Sequence, residues 1–285
     1  MPDANLPPSE IFAADALAGR VAVVTGGGTN LGREAAAELA RCGARVVIAG
    51  RREGVLAEAA ERLGERCSWV AGDIRDPASA ARIAAAAIER HGRLDVLVNN
   101  AGGQYFVPAE DITSKGWAAV QRLNVDGTLT MTRAALEAGL GVAGVGGAIV
   151  NVTVSPHHGM PAMAHTGAAR AAVEAFGREL AAELAPRDIA VVAAAIGRFD
   201  TESLRKYPEV AQRAAARGVP LGRLGEMREF AWLVALLASP LGHALSGSVV
   251  TLDGALDDFP GPWPPPALTD DEGAVPTEER RAAAR

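Results

Sequence analysis

A glycine-rich turn set between an apolar strand and a helix places the tightest limit on what this chain can fold into. Thr25-Gly26-Gly27-Gly28-Thr29-Asn30-Leu31-Gly32 follows the apolar run Arg20–Thr25 and opens the Ala-rich stretch Leu31–Cys42. Glycines there allow a tight turn and close approach of the backbone to a ligand, and the helix N-terminus favours a pyrophosphate. A glycine-rich loop alone is a weak signal; its strand–loop–helix setting makes it a strong one.

The alternation continues along the chain. Strands are predicted at Ala44–Ala49, Ser68–Ala71, Leu94–Asn99, Ala148–Thr153, Ile189–Ala194 and Ser248–Leu252. Helices are predicted at Val55–Leu63, Ser79–His91, Ser114–Val120, Asn124–Ala138, Ala168–Leu184 and Met227–Ala238. Near-continuous apolar strands separated by helices specify a parallel sheet covered on both faces, an α/β Rossmann-type doubly wound fold. The single domain is expected over 19–258, between an N-terminal arm (1–18) and a Pro-rich tail (259–285) that reads as extended or disordered. Trp263 gives that tail an alternative role, as an anchor on a neighbouring subunit.

With 285 residues and 49% apolar content, the chain is large enough for one core. A net charge of −6, with both signs dispersed, offers no basic stripe for nucleic acid. No apolar run approaches the length that spans a bilayer. Met1–Ala18 is acidic and Pro-containing, unlike a signal peptide. Cys42 and Cys67 lack metal-type spacing and read as reduced core thiols, so no metal is expected and the expected location is the cytoplasm.

Gly50-Arg51-Arg52 stands at the end of the second predicted strand. An acid there would serve a ribose 2′-hydroxyl, whereas arginine accommodates a 2′-phosphate, which points to NADP(H). The bland alternative is a pair of solvated charges on a helix face. Asp73-Ile74 follows the third strand, Asn99-Asn100-Ala101-Gly102 the fourth, and Asn124 heads Asn-Val-Asp-Gly. Together these motifs resemble the short-chain dehydrogenase/reductase family over Gly19 to Gly254. That family's loop is Thr-Gly-x-x-x-Gly-x-Gly, with Asn30 here at the middle glycine; asparagine tolerates left-handed backbone better than other non-glycine residues. The resemblance implies that Gly26, Thr29, Asn30 and Leu31 bind the cofactor through the glycine-rich loop, and that Asp73 meets the adenine amino group with Ile74 beside it. It places Asn100, Ala101 and Gly102 at the nicotinamide end and has Asn124 hold a relay water. Gly197 lies where the family has Pro-Gly, and Asp253-Gly254-Ala255 replaces Asp-Gly-Gly. It also implies a homotetramer or homodimer joined through the helices Asn124–Ala138 and Ala168–Leu184.

The family's proton-transfer motif, Tyr-x-x-x-Lys, is missing. His165-Thr166-Gly167-Ala168-Ala169-Arg170 puts Thr166 at the tyrosine and Arg170 at the lysine. The tyrosines (Tyr105, Tyr207) and lysines (Lys115, Lys206) have no such spacing. Arginine binds ribose hydroxyls and supplies a positive field but releases no proton near neutrality. The segment Met160–Arg170 resembles the divergent branch of peroxisomal trans-2-enoyl-CoA reductase and the 2,4-dienoyl-CoA reductases. The loop Gly102–Phe106, with Pro108-Ala109-Glu110 and Ser114–Trp117, adds to that resemblance. In dienoyl-CoA reductases a tyrosine comes from the loop after the fifth strand, a place held here by Ser155.

The branch implies reduction of an α,β-unsaturated acyl thioester or related carbonyl compound, with an acyl-CoA as a candidate substrate. Hydride reaching the β-carbon leaves an enolate, whose oxygen is stabilised by hydrogen-bond donors. Asn124, Thr153, Ser155 and Thr166 are candidate donors beside Arg170, and His157, His158 and His165 are candidate proton sources. One alternative is an alcohol dehydrogenase or ketoreductase of fatty or terpenoid substrates, which needs a histidine acid. Another is a non-catalytic NADP(H)-binding protein. Thr201–Pro220 is expected to form a substrate lid, where Arg205, Lys206 and Tyr207 meet the ligand or face solvent.

Overall fold

Strands apolar on both faces must lie in the middle layer of a fold, and among the described residues seven strands form that layer. The computed structural model describes residues 6–258 except 143, 145, 156, 160, 203, 207 and 208. Among them run β1 (Val21–Thr25), β2 (Arg45–Gly50), β3 (Cys67–Ala71), β4 (Val96–Asn99), β5 (Gly147–Val154), β6 (Ile189–Ile196) and β7 (Val249–Leu252). They form one sheet in the order β3-β2-β1-β4-β5-β6-β7, every pair parallel. The helices are α1 (Asn30–Arg41), α2 (Glu53–Leu63), α3 (Pro77–His91), α4 (Ser114–Gln121), α5 (Gly127–Glu137), α6 (Ala164–Leu184), α7 (Glu209–Arg217) and α8 (Met227–Ala238).

Alternate residues of each strand feed opposite cores. Val24, Ile48 and Val150 pack with Leu39, Leu56 and Phe230 on one face. Val23, Leu97 and Val191 pack with Ile83, Met131 and Leu184 on the other. Each such side chain, fully buried, contributes about 1.5–3 kcal/mol. The predicted doubly wound sheet is therefore the observed one. Its order reverses at β1 and β4, and the crevice beyond their carboxyl ends is where such sheets bind ligands.

Two helices differ from expectation. α6 begins at Ala164 rather than Ala168, because Gly167 is exposed and its position meets no neighbouring atom, so the helix runs through it. Arg122–Asp126 forms a π-helical turn instead of the first turn of a helix Asn124–Ala138. The Asn124 amide donates to Val120 O and to Gly103 O, a side-chain wedge of the kind that opens the helical ladder.

The N-terminal segment is docked rather than free from Leu6 onward. The Leu17 N–H donates to Cys42 O at 2.7 Å, Leu17 is buried, and the Ser9 hydroxyl bonds Glu38. The tail 259–285, with Trp263, lies outside the described residues. Among the described residues no helix is long and apolar enough to cross a membrane.

Candidate active site

Thr25 organises the crevice. Its hydroxyl donates to Val98 O and accepts from the N–H groups of Asn100 and Ala101, both at 3.0 Å. The Asn100 amide returns to Thr25 O at 2.9 Å and to Gly26 O at 3.4 Å. The two loops that follow β1 and β4 are thus locked edge to edge. Thr25→Val keeps the shape and removes the hydroxyl, leaving the half-buried Ala101 N–H unpaired while the Asn100 N–H keeps Val98 O. A loss of about 1–3 kcal/mol is expected in urea unfolding.

Asn30 adopts φ 45°, the left-handed conformation anticipated from its place in the loop. Its side-chain oxygen also accepts the Glu202 N–H at 3.0 Å, and Arg33 pairs with Glu202 at 3.2 Å. Those contacts fasten the start of the Thr201–Pro220 segment onto the glycine-rich loop. Within that segment lie a 3-10 turn, Leu204–Lys206, and α7. Arg205 is exposed and pairs with Asp200 at 2.8 Å, which favours its solvated reading. Tyr207 and the Lys206 side chain lie outside the described residues.

On the β2 side, a cleft of about 450 Å³ is bordered by Thr29, Asn30, Arg33, Arg52 and Arg62. Arg52 is the N-cap of α2, so its guanidinium stands at the cleft that the glycine-rich loop opens. Arg51 is exposed and lies near Asp73. Arg33 and Arg62 were not anticipated. The first directly follows Gly32, and the second shares a face of α2 with Val55 and Glu58, spacings that point them to one place. Asp73 receives three bonds from the Arg75 guanidinium, which hold its carboxyl at about 2 despite partial burial. Ile74 is buried and packs where a side chain on Gly127 would otherwise lie. Gly197 leaves β6 so close to Asp253 that a Cβ would sit 2.5 Å from the aspartate Cβ.

The expected chemical residues separate into two groups. Asn124 is fully buried, spends both amide protons on Gly103 O and Val120 O, and accepts the Gly103 N–H. It holds the loop after β4 and has no proton left for an oxyanion. The Thr153 hydroxyl donates to Glu174 at 2.7 Å and the Ser155 hydroxyl donates to Asp253, so both protons already face carboxylates. His165 is fully buried with its ring edge-on to Tyr105, centroids 4.5 Å apart, and does not border the cavity below. Of the expected donors, Thr166 and Arg170 remain. Both border a cavity of about 610 Å³ beside Val154, His157 and Glu174. The Thr166 hydroxyl is buried without a partner among the described residues, as is Nε of Arg170. Arg170 Nη1 donates to Val152 O at 2.6 Å, and burial pushes its pKa down to about 10 against the pull of Glu174.

The crevice fits a dinucleotide. Cβ atoms added at Gly26 and Gly32 would lie 2.9 and 2.4 Å from the Asn100 amide nitrogen, so the loop keeps its backbone bare and close. Arginines border the cleft of about 450 Å³, and Thr166 and Arg170 border the cavity of about 610 Å³.

The enoyl-(acyl carrier protein) reductase family matches residues 27–256. A peroxisomal 2,4-dienoyl-CoA reductase of Pongo abelii is 34% identical over 252 residues, 86% of either chain. A citronellol catabolism dehydrogenase of Pseudomonas aeruginosa PAO1 superposes with a TM-score of 0.77 at 34% identity, covering 87% of this chain and 98% of that one. The Pseudomonas aeruginosa RhlG/NADP active-site complex superposes with a TM-score of 0.80 at 32% identity, covering 86% and 100%.

Proposed function

Because the chain belongs to the short-chain dehydrogenase/reductase family of nicotinamide-dependent oxidoreductases, we propose that it reduces the C=C bond of an α,β-unsaturated acyl thioester with NADPH. One observation carries the reading. The groups at the tyrosine and lysine positions are an unpartnered hydroxyl, Thr166, and a buried permanent cation, Arg170, both on one cavity. That pair stabilises an oxyanion and is poorly suited to protonate one. Enolate formation makes that demand, whereas reducing a ketone requires a proton on oxygen.

Bound NADPH supplies the hydride. Thr25 and Asn100 fix the loops around it, and Gly26 and Gly32 let the backbone approach its pyrophosphate. Arg52, with Arg33 and Arg62, receives the 2′-phosphate. Arg170 and Thr166 hold the thioester oxygen as negative charge grows on it. Asn124 acts as a positioning residue through Gly103. The exposed faces of Trp117 and Leu129 on α4 and α5 suit a homo-oligomer, dimeric or tetrameric.

The test is NADPH oxidation at 340 nm by purified protein offered enoyl-CoA thioesters, 3-ketoacyl thioesters and ketones. Consumption with the enoyl thioesters supports the reading. Consumption with only the ketones moves the protein to the ketoreductases, and tight NADPH binding without consumption makes it a binding protein. Arg52→Glu is expected to weaken NADPH binding about 10–100-fold in fluorescence titration and leave NADH binding within a few-fold, the worth of a charged hydrogen bond to phosphate.

A further inference from the structure

The saturated product needs a proton at its α-carbon, and neither Thr166 nor Arg170 supplies it. Beside them lies a group of titratable side chains drawn from three parts of the chain. His157, in the loop after β5, contacts Asp257 through Nδ1 and Glu174 Oε1 through Nε2 at 3.1 Å. Its backbone N–H also donates to Asp257 at 2.5 Å. Asp257 belongs to the segment after β7 and is bonded in turn to Asp253 through its own N–H at 2.7 Å. Glu174 lies one helical turn beyond Arg170 on α6, on the same face, with a side chain only 7% exposed. The charged groups around His157 are therefore Asp257 and Asp253 from the C-terminal segment, Glu174 and Arg170 from α6, and His158 alongside it.

The contacts specify a protonation state. A neutral imidazole has one N–H, so facing two carboxylates it satisfies only one, whereas the imidazolium donates to both. Burial opposes that charge, but the hydrogen bonds to Asp257 and Glu174 outweigh it and raise the histidine's pKa. A third of the His157 side chain remains exposed, which gives it access to water for reprotonation. Glu174 is its inward neighbour, on the cavity wall shared with Thr166 and Arg170.

We propose that His157 and Glu174 form the proton relay of this site, in place of the phenol the family commonly uses. The inference rests on the enoyl-reductase reading. Hydride from NADPH forms the Cβ–H bond, the C=C electrons move onto the thioester oxygen, and that oxygen is held by Thr166 and Arg170. As the carbonyl re-forms, His157 passes its Nε2 proton to the Glu174 carboxylate, which delivers it to the α-carbon, and His157 regains a proton from solvent. The sum is NADPH, one proton and the enoyl thioester giving NADP⁺ and the saturated thioester. Asp257 is a positioning residue that keeps His157 charged and oriented.

The experiment uses a 2-methyl-2-enoyl-CoA, whose reduction sets a stereocentre at the α-carbon. The wild type is expected to give one configuration. His157→Gln and Glu174→Gln are expected to lower kcat about 100-fold with little change in KM, and to give mixed configurations as water protonates the enolate from either side. Asp257→Asn keeps the shape and moves the high-pH fall of kcat to lower pH. A merely structural role would change thermal stability and leave product configuration intact. Wild-type turnover with His157→Gln and Glu174→Gln matching it in rate and configuration overturns the relay alone. No NADPH consumption by the wild type with any enoyl thioester overturns the reductase reading and the relay with it.

Discussion

Arg170→Met is expected to remove turnover while leaving the protein as stable as the wild type or more so. The guanidinium is buried, and its one neutral partner, Val152 O, does not balance its charge. Burial moves its pKa down to about 10, with Glu174 opposing. For a base, a lowered folded-state pKa means that folding carries a penalty at neutral pH, relieved only as pH rises through that value. The shift corresponds to about 3 kcal/mol. Methionine has similar length and no charge, and it forfeits one hydrogen bond of about 1 kcal/mol. The balance favours the variant, read as an unchanged or raised melting temperature. On the proposed reading catalysis moves the other way, because a cation aimed at a developing oxyanion is worth about 100–1,000-fold in rate. Differential scanning calorimetry beside NADPH oxidation reads both. A variant that loses stability and keeps its rate would show that Arg170 is a structural cation. Arg170→Lys, with its charge kept, should recover most of the rate.

This opposition explains why the turn and loop geometry after β1 and β4 was legible in the sequence and the arrangement of free donors less so. Turn and strand-end geometry follows local rules. Asn30 was expected in a left-handed turn because it stands where the family's loop has its middle glycine, and it is there. Thr25, Asn100 and Gly102 sit at strand ends whose order a doubly wound sheet dictates. Donor availability is not local. Asn124, Thr153 and Ser155 are the residue types an oxyanion site needs, yet each has its protons committed, to Gly103 and Val120, Glu174 and Asp253 respectively. Asp253 is far from Ser155 in the chain, and no periodicity connects them. The His157–Asp257 contact likewise spans 100 residues. Glu174 was within reach of sequence reasoning, since its spacing from Arg170 puts both on one helix face. The histidines needed tertiary packing to separate them: His165 turns onto Tyr105, and His157 reaches the cavity.

Gly32→Ala is expected to have the largest effect on the fold. An alanine Cβ at this position would lie 2.4 Å from Gly26 O, 2.4 Å from the Asn100 side-chain nitrogen and 2.9 Å from Gly26 C. Two of these are backbone atoms of the turn itself, and the third belongs to the amide that locks the β4 loop to Thr25. No rotamer relieves a Cβ clash, so the first turn of α1 must move away from the strand it follows. Forced overpacking of this kind costs about 3 kcal/mol or more. On the proposed reading, the displacement also carries the N–H groups of the helix start away from the cofactor's pyrophosphate. We expect a lowered urea midpoint and at least a 100-fold loss of NADPH affinity in the protein that still folds, the worth of losing about 3 kcal/mol of phosphate contacts. Gly54→Ala is the matched control, because that glycine lies within α2 with no atom in reach of a new methyl group. There the same change should stabilise by about 0.5–1 kcal/mol through helix propensity. Opposite signs from one substitution would show that Gly32 is required for the close approach of its neighbours. Equal, small effects at both positions would mean that the loop yields, and that the cofactor does not depend on this contact.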